Sequence, residues 1–361
     1  MAKSYLVLED GSVFEGEPFG YRAPVFGEVV FSTVMSGYQE NLTDPSSRGQ
    51  IVVTTYPLVG NYGVNDRFNQ SERMHARGLV VNEYCKEPSP MYGGLTLDDF
   101  LRNGKVPGIS GIDTRDLTIK IRTSGTMKGA ITEDKDGIDT LIKELKRMPA
   151  HYESNLVAEA SCSRIEEHSY GKDVRIGLLD LGGKNSVIRD LSERFDITVF
   201  PYDTPSDVMK EHGIKGLVLS DGPGDPSHPE LLKTAVRTVA DLSAMMPTLG
   251  LCLGSQVVGV SMGGKTYKMK FGHRGSNQPV RWGNRVSMTA QNHGFAIDEN
   301  SLDGKDLIVD QINVNDGTVE GFRHKDLPVF ASQYHPEASP WAEGAPFMFD
   351  IFAKTIKGGR L

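Results

Sequence analysis

The stretch Gly250-Leu251-Cys252-Leu253-Gly254-Ser255-Gln256 limits what this chain can fold into more than any other. Met246-Pro247-Thr248-Leu249 before it reads as a short buried strand and Ser255 to Met262 after it as a helix, so Cys252 falls on the turn between them. Glycine on both sides of the central residue marks a nucleophile elbow, because a sharp strand-to-helix reversal leaves no room for side chains there. A cysteine at a helix start meets unpaired N–H groups and the positive end of the dipole, which favour a thiolate able to attack a carbonyl carbon. Taken alone, the stretch also admits a buried structural cysteine that fills a strand end.

A chain of 361 residues, 38% hydrophobic and 24% charged, suits two domains with sizeable cores. The formal net charge of −8 and the lack of a lysine or arginine cluster argue against nucleic acid and against an anionic membrane as partners. Met1 to Leu8 leads into a strand-like run without the zones of a signal peptide, and no apolar stretch approaches the roughly 18 residues that span a bilayer. A cytoplasmic protein is expected. Cys85, Cys162 and Cys252 lie far apart and give neither a disulfide framework nor a CxxC metal pair.

In chain order, Tyr5 to Phe14 alternates around the hairpin signal Asp10-Gly11, and Glu28 to Phe31 and Gln50 to Tyr56 read as further strands. Between them Ser36 to Ser46 reads as a polar, turn-rich loop. Gly60-Asn61-Tyr62-Gly63 and Gly108 to Arg115 are glycine-rich pieces, the second leading into a helix over Thr114 to Ser124, and Gly137 to Arg147 has the period of an amphipathic helix. This gives an N-terminal β-rich α/β domain over 1–150 and a linker over 151–172. From 173 to 361 apolar strands alternate with helices: Val174 to Asp180, Ser186 to Arg194, Ile197 to Phe200, Pro205 to His212 and Gly216 to Ser220. That rhythm predicts an α/β domain built on a doubly wound, mostly parallel sheet, with functional groups at the carboxyl ends of strands. The Gly222-Pro223-Gly224 loop, Gln291-Asn292-His293-Gly294-Phe295 after a strand at Ser287 to Ala290, and His335-Pro336-Glu337 after a strand at Pro328 to Tyr334 all sit at such ends. Gly259 to Thr266 matches the phosphate-loop spacing, yet it follows the elbow helix instead of opening one, so it reads as a helix stop.

A cysteine nucleophile needs a base and a group that holds the base in place. On an extended segment residues two apart project to one side, so Glu337 can orient His335 toward Cys252. His273, in a flexible polar loop with no paired carboxylate, and His293, with no acidic neighbour closer than Asp298, rank below it. No metal site is expected, since the histidines are dispersed and no HExxH or Cys/His cluster occurs.

Gly250 to Gln256 with His335-Pro336-Glu337 resembles the class I (triad) glutamine amidotransferase family from about Val174 onward. With Ser36 to Ser46, Gly60 to Gly63, Lys270 to Asn277, Gln291 to Phe295 and His335 to Pro340, the whole chain is similar to the small subunits of carbamoyl phosphate synthetases. The resemblance implies that Cys252 attacks the side-chain amide of glutamine to form a γ-glutamyl thioester. His335 would protonate the departing ammonia and then activate water, and Glu337 would orient His335. The oxyanion would lie on the backbone N–H groups of Leu253 and Gly222. Ser46, Gly222, Gly224, Leu253, Gln256, Asn292, Gly294 and Phe295 match the family's glutamine-binding positions, whereas Ser255 departs from the family's usual histidine. The implied partner is a large synthetase subunit that carries ATP and Mg and makes carbamoyl phosphate from bicarbonate; this chain would hold no cofactor, and its N-terminal domain would dock and form the ammonia tunnel. Two other readings stand beside this one. A free-standing cysteine amidase or γ-glutamyl hydrolase would turn over fully without a partner, and a non-catalytic regulatory scaffold would not be labelled at Cys252 by a glutamine-analogue electrophile.

Overall fold

The chain divides into two units, Met1–Ser154 and Asn155–Leu361. The computed structural model describes residues 2–90, 93–337 and 347–359. In the first unit the Asp10-Gly11 turn joins β1 (Ser4–Leu8) to β2 (Val13–Gly20), and Gly11 takes φ 95°, which a side chain would resist. There follow β3 (Val25–Ser32), β4 (Gln50–Thr54), β5 (Leu58–Val59), β6 (Gly78–Val80), β7 (Glu83–Tyr84), β8 (Pro107–Ser110) and β9 (Met127–Thr132). Seven of these close a barrel in the order β1-β2-β8-β6-β4-β3-β9, while β5 and β7 pair apart from it. The helices Thr114–Ser124 and Ile138–Arg147 stand where periodicity predicts them.

Ser36 to Ser46 is more ordered than its composition suggests. Gly37, at φ 90°, starts a helix over Tyr38–Thr43, and the Asp44 carboxylate accepts the N–H of Ser46 to cap a short 3-10 turn, Pro45–Ser47. Tyr38 stacks on Tyr62 with ring centroids 4.4 Å apart, so this stretch and the Gly60–Gly63 turn form one packed piece. The region read as a linker also carries structure. It holds a helix over Leu156–Ala160, capped by Asn155, and β10 (Glu166–His168), which pairs antiparallel with a later strand over Asp196–Pro201.

The second unit is built on a ten-stranded sheet. Its centre is parallel and comprises β11 (Arg175–Asp180), β12 (Asp196–Pro201), β13 (Leu217–Leu219), β14 (Thr248–Leu251) and β19 (Val329–Ser332), in the order β12-β11-β13-β14-β19. Alternate residues of these strands enter opposite cores. Leu217 and Leu219 pack with Val239, Leu242 and Val257 on one face, and Val218 packs with Val187, Leu191 and Phe352 on the other. Apolar residues at every position are thus what a strand covered on both faces requires.

Beyond β19 the sheet turns antiparallel through β18 (Val319–His324), β17 (Leu307–Asn313), β15 (Thr266–Trp282) and β16 (Arg285–Ile297). Here the structure corrects two expectations. Phe271 to Asn277 is no flexible loop but the middle of β15, and Gln291 to Phe295 lies within β16 instead of after it. Register shifts at Lys268/His273 and Gly275/Gln278 interrupt the alternation that would have revealed strands of this length. The phosphate-loop look-alike closes the elbow helix: Gly263 takes φ 86°, the Gly264 N–H bonds to the Gly259 carbonyl, and the chain then enters β15. No helix among the described residues is long and apolar enough to cross a membrane.

Candidate active site

β14 ends at Leu251, and the helix Leu253–Ser261 begins one residue later. Cys252 between them has φ 50° and ψ −107°, a conformation that costs a residue bearing a side chain on the order of 1–3 kcal/mol. The bend is held from several sides. The Cys252 N–H donates to the Ser332 carbonyl on β19 at 2.8 Å, and the Ser255 hydroxyl donates to the Cys252 carbonyl at 2.7 Å. A Cβ on Gly250 would lie 2.6 Å from the Gly254 carbonyl oxygen, and one on Gly254 would lie 2.5 Å from that of Leu219. Both flanking glycines are therefore required by backbone approach. Ser255, the departure from the family pattern, serves the elbow itself.

β19 delivers the base. His335 follows it by three residues, with its N–H bonded to the Ala290 carbonyl, and is buried together with Glu337. Its Nδ1 lies 3.2 Å from the Glu337 carboxylate, a contact not aligned as a hydrogen bond. Burial works against a charged imidazole, and so does Lys184, but Cys252 and Glu337 prevail and hold its pKa well above the usual histidine value. Burial likewise opposes a charged Glu337, and Lys184 and His335 overcome it, so this carboxyl stays ionised well below the ordinary range. Cysteine, imidazole and carboxylate thus act on one another inside the protein.

Two residues that sequence reasoning missed complete this cluster. Lys184, in the loop after β11, places its Nζ 2.6 Å from Glu337 and 3.6 Å from Asp221. Asp221, in the loop after β13, has its carboxylate 3.8 Å from His335 Nδ1 and accepts the Lys184 backbone N–H. Their signal in the sequence is position alone, since each is a charged residue just past the carboxyl end of a parallel strand. Asp221, His335 and Glu337 also bring ligand atoms within 4.8 Å of one another, as a metal site would. The ammonium of Lys184 lies among them and contacts both carboxylates, so a cation already serves them.

The other expected residues lie in four places. Gly222 and Gly224 line the loop after β13: a Cβ on Gly222 would lie 2.1 Å from the Leu181 carbonyl oxygen, and Gly224 takes φ 98°. Leu253 opens the elbow helix, so its N–H is among the first-turn donors that have no carbonyl partner within the helix. Asn292, Gly294 and Phe295 lie on β16, where the Asn292 carbonyl is 4.0 Å from Cys252 Sγ. Gln256 ties these parts together, its amide donating to the Phe295 carbonyl at 2.7 Å and to Gln333 Oε1 at 2.9 Å, while Gln333 Nε2 approaches Cys252 Sγ at 3.7 Å. Ser46 stands in the first unit, buried in its 3-10 turn. Ala338 to Pro340, the end of the last matching stretch, lie outside the described residues.

His273 and His293 are placed otherwise than expected. His273 is buried and does have carboxylates: Nε2 lies 2.9 Å from Asp316 and Nδ1 3.4 Å from Glu320. Burial opposes its charge, but these two carboxylates raise its pKa to about 9. His293 bonds the Phe295 carbonyl and Gln291 Oε1, and burial together with His273 pushes its pKa well below the usual value. With Glu320 they form a second set of close ligand atoms, but the Gln291 amide oxygen lies 2.9 Å from both rings.

The second unit thus carries an open sheet with a parallel centre, a cysteine elbow and a histidine–glutamate pair at the carboxyl ends of its strands, and the family model described as "Glutamine amidotransferase class-I" matches residues 178–355. The model described as "Carbamoyl-phosphate synthase small chain, CPSase domain" matches residues 6–131 of the barrel unit. Proteins named carbamoyl phosphate synthase small chain are similar over the whole length. That of Staphylococcus haemolyticus is 43% identical over 99% of this chain and 97% of its own, and that of Caldanaerobacter subterraneus is 46% identical over 98% and 96%. That of Archaeoglobus fulgidus is 42% identical over 98% and 99%. The chain belongs to the carbamoyl phosphate synthase small-chain family.

Proposed function

We propose that this chain is the glutaminase of a carbamoyl phosphate synthase, hydrolysing glutamine to glutamate and ammonia and passing the ammonia to a large synthetase subunit. The observation that carries the reading is the burial of Cys252, His335 and Glu337 in one interacting cluster at the elbow. With the proton on His335 and the charge on sulfur, Cys252 attacks the γ-carbonyl carbon of glutamine. The tetrahedral oxyanion is received by the N–H groups of Leu253 and Gly222. As the C–N bond breaks, His335 gives its proton to the leaving nitrogen, and a γ-glutamyl thioester and ammonia result. Neutral His335 then takes a proton from water, whose oxygen attacks the thioester; glutamate leaves, and thiolate and imidazolium are restored. Glu337 keeps the imidazole oriented throughout and charged until it gives up its proton. Gly224, Gln256, Asn292, Gly294 and Phe295 are the residues assigned to hold glutamine.

Ammonia released to neutral water would be protonated and lose its nucleophilic lone pair, so the product has to be channelled. The recipient makes carbamoyl phosphate from bicarbonate with two ATP, and ATP and Mg belong to it and not to this chain. The site of action is the cytoplasm. The test is Cys252→Ser in the assembled enzyme. Glutamine-dependent carbamoyl phosphate synthesis is expected to vanish while synthesis from added ammonia persists; loss of both would refute a purely glutaminase role for Cys252. Full turnover of glutamine by the isolated chain would favour a free-standing amidase instead.

A further inference from the structure

The reading above uses one carboxylate, Glu337, yet His335 faces two. Asp221 Oδ2 lies 3.8 Å from the same Nδ1 that Glu337 Oε1 approaches at 3.2 Å. The two carboxylates would push the imidazole toward a permanent positive charge, and that would halt the second half of hydrolysis, which needs a neutral base. Lys184 is the counterweight. Its ammonium contacts Glu337 at 2.6 Å and Asp221 at 3.6 Å, and the backbone N–H of Lys184 donates to the other oxygen of Asp221. All four side chains are buried, so their charges act on one another with little screening.

We propose that Asp221 and Lys184 are an opposed pair of positioning residues that sets when His335 gives up its proton, Asp221 as a second carboxylate on Nδ1 and Lys184 as the cation that limits both carboxylates. Two negative charges against one positive leave a surplus of one negative charge beside Nδ1, which an imidazolium just neutralises. That is the balance a shuttle needs: the proton is retained while the thiolate attacks and is still released to ammonia. The loops that carry the pair also define their reach. Asp221 immediately precedes Gly222, and Lys184 directly precedes the helix Asn185–Ser192. The other groups that act on this cluster are Cys252 from the elbow, His293 from β16, and Asp190, which acts on Glu337 from that helix.

The proposal rests on Cys252 and His335 forming the reacting pair, and the test separates the two claims. The full chain is assayed, with its synthetase partner where glutamine turnover requires it. Two pH profiles are recorded: kcat/KM for glutamine, and the rate of Cys252 alkylation by iodoacetamide, which needs no glutamine chemistry. In Asp221→Asn the alkaline ionisation, loss of the imidazolium proton, is expected to move down by about one pH unit in both profiles. In Lys184→Met it is expected to move up by about as much, and the double variant to return toward the parent. Thermal melting checks that each variant folds, and Asp221→Asn, being isosteric, decides the matter alone if Lys184→Met does not. Lower rates with an unmoved alkaline ionisation in Asp221→Asn overturn the proposal, as do shifts of the same sign in both single variants. Opposed shifts in alkylation without any glutamine hydrolysis would leave the proposal standing and sink the substrate reading.

Discussion

Two polar clusters share the second unit, and each sets buried histidine beside two carboxylates. In one, His273 and His293 have every ring nitrogen within 2.9 Å of an oxygen from Asp316, Gln291 or the Phe295 backbone, and the Gln291 amide donates in turn to Glu320. In the other, both ring nitrogens of His335 lack an aligned hydrogen bond, although carboxylates and a sulfur surround it. The first cluster is nearly saturated, with charged His273 donating from both ring nitrogens and neutral His293 from one, so moving a proton there breaks bonds already made. The second keeps its hydrogen-bonding capacity open, which on the proposed reading leaves room for a substrate and its leaving group. Histidine beside carboxylate is thus common to both clusters, and what differs is how many of the imidazole's hydrogen bonds are already made.

The contrast is open to direct attack. The largest effect is expected from His335→Asn, which should lower glutaminase kcat by roughly a thousandfold or more while changing glutamine KM little. A raised KM with intact kcat would break the assignment of the base. His273→Gln should do the reverse, leaving kcat within about threefold and lowering stability by about 2 kcal/mol through loss of charged hydrogen bonds, read by denaturant unfolding. pH sharpens this second half. With its folded pKa near 9 against 6.5 for the free side chain, His273 stabilises the fold fully below pH 6.5, and its contribution fades as pH rises through 9. The loss approaches about 3 kcal/mol, and the pH slope in that window should flatten in His273→Gln. The smallest effect is assigned to Ser255→Ala, which removes one hydrogen bond to the Cys252 carbonyl and should cost about 1 kcal/mol in unfolding free energy.

The nearly saturated cluster was hidden from sequence reasoning for the reason that makes it strong. His273 and Glu320 are far apart in the chain, and the strand that carries His273 is bulged twice, so neither proximity nor period revealed it. The elbow was legible because its two glycines stand four residues apart, Gly250 answering a close approach of Gly254 and Gly254 a close approach of Leu219 on β13. The parallel centre was legible too, since strands covered on both faces are apolar throughout. Lys184 and Asp221 carried no such mark, and only the folding of three strand ends onto one point gives them meaning. Ser36 to Ser46 was misread because polar residues and Asp-Pro resemble a turn, whereas stacking of Tyr38 on Tyr62 holds them in a helix.

The bend at residue 252 has a consequence for how such a chain is preserved. Glycine would sit there at ease, so Cys252→Gly should raise the melting temperature while abolishing the chemistry. Selection for robustness alone would favour losing the sulfur, so on the proposed reading only the glutaminase reaction keeps it at the bend.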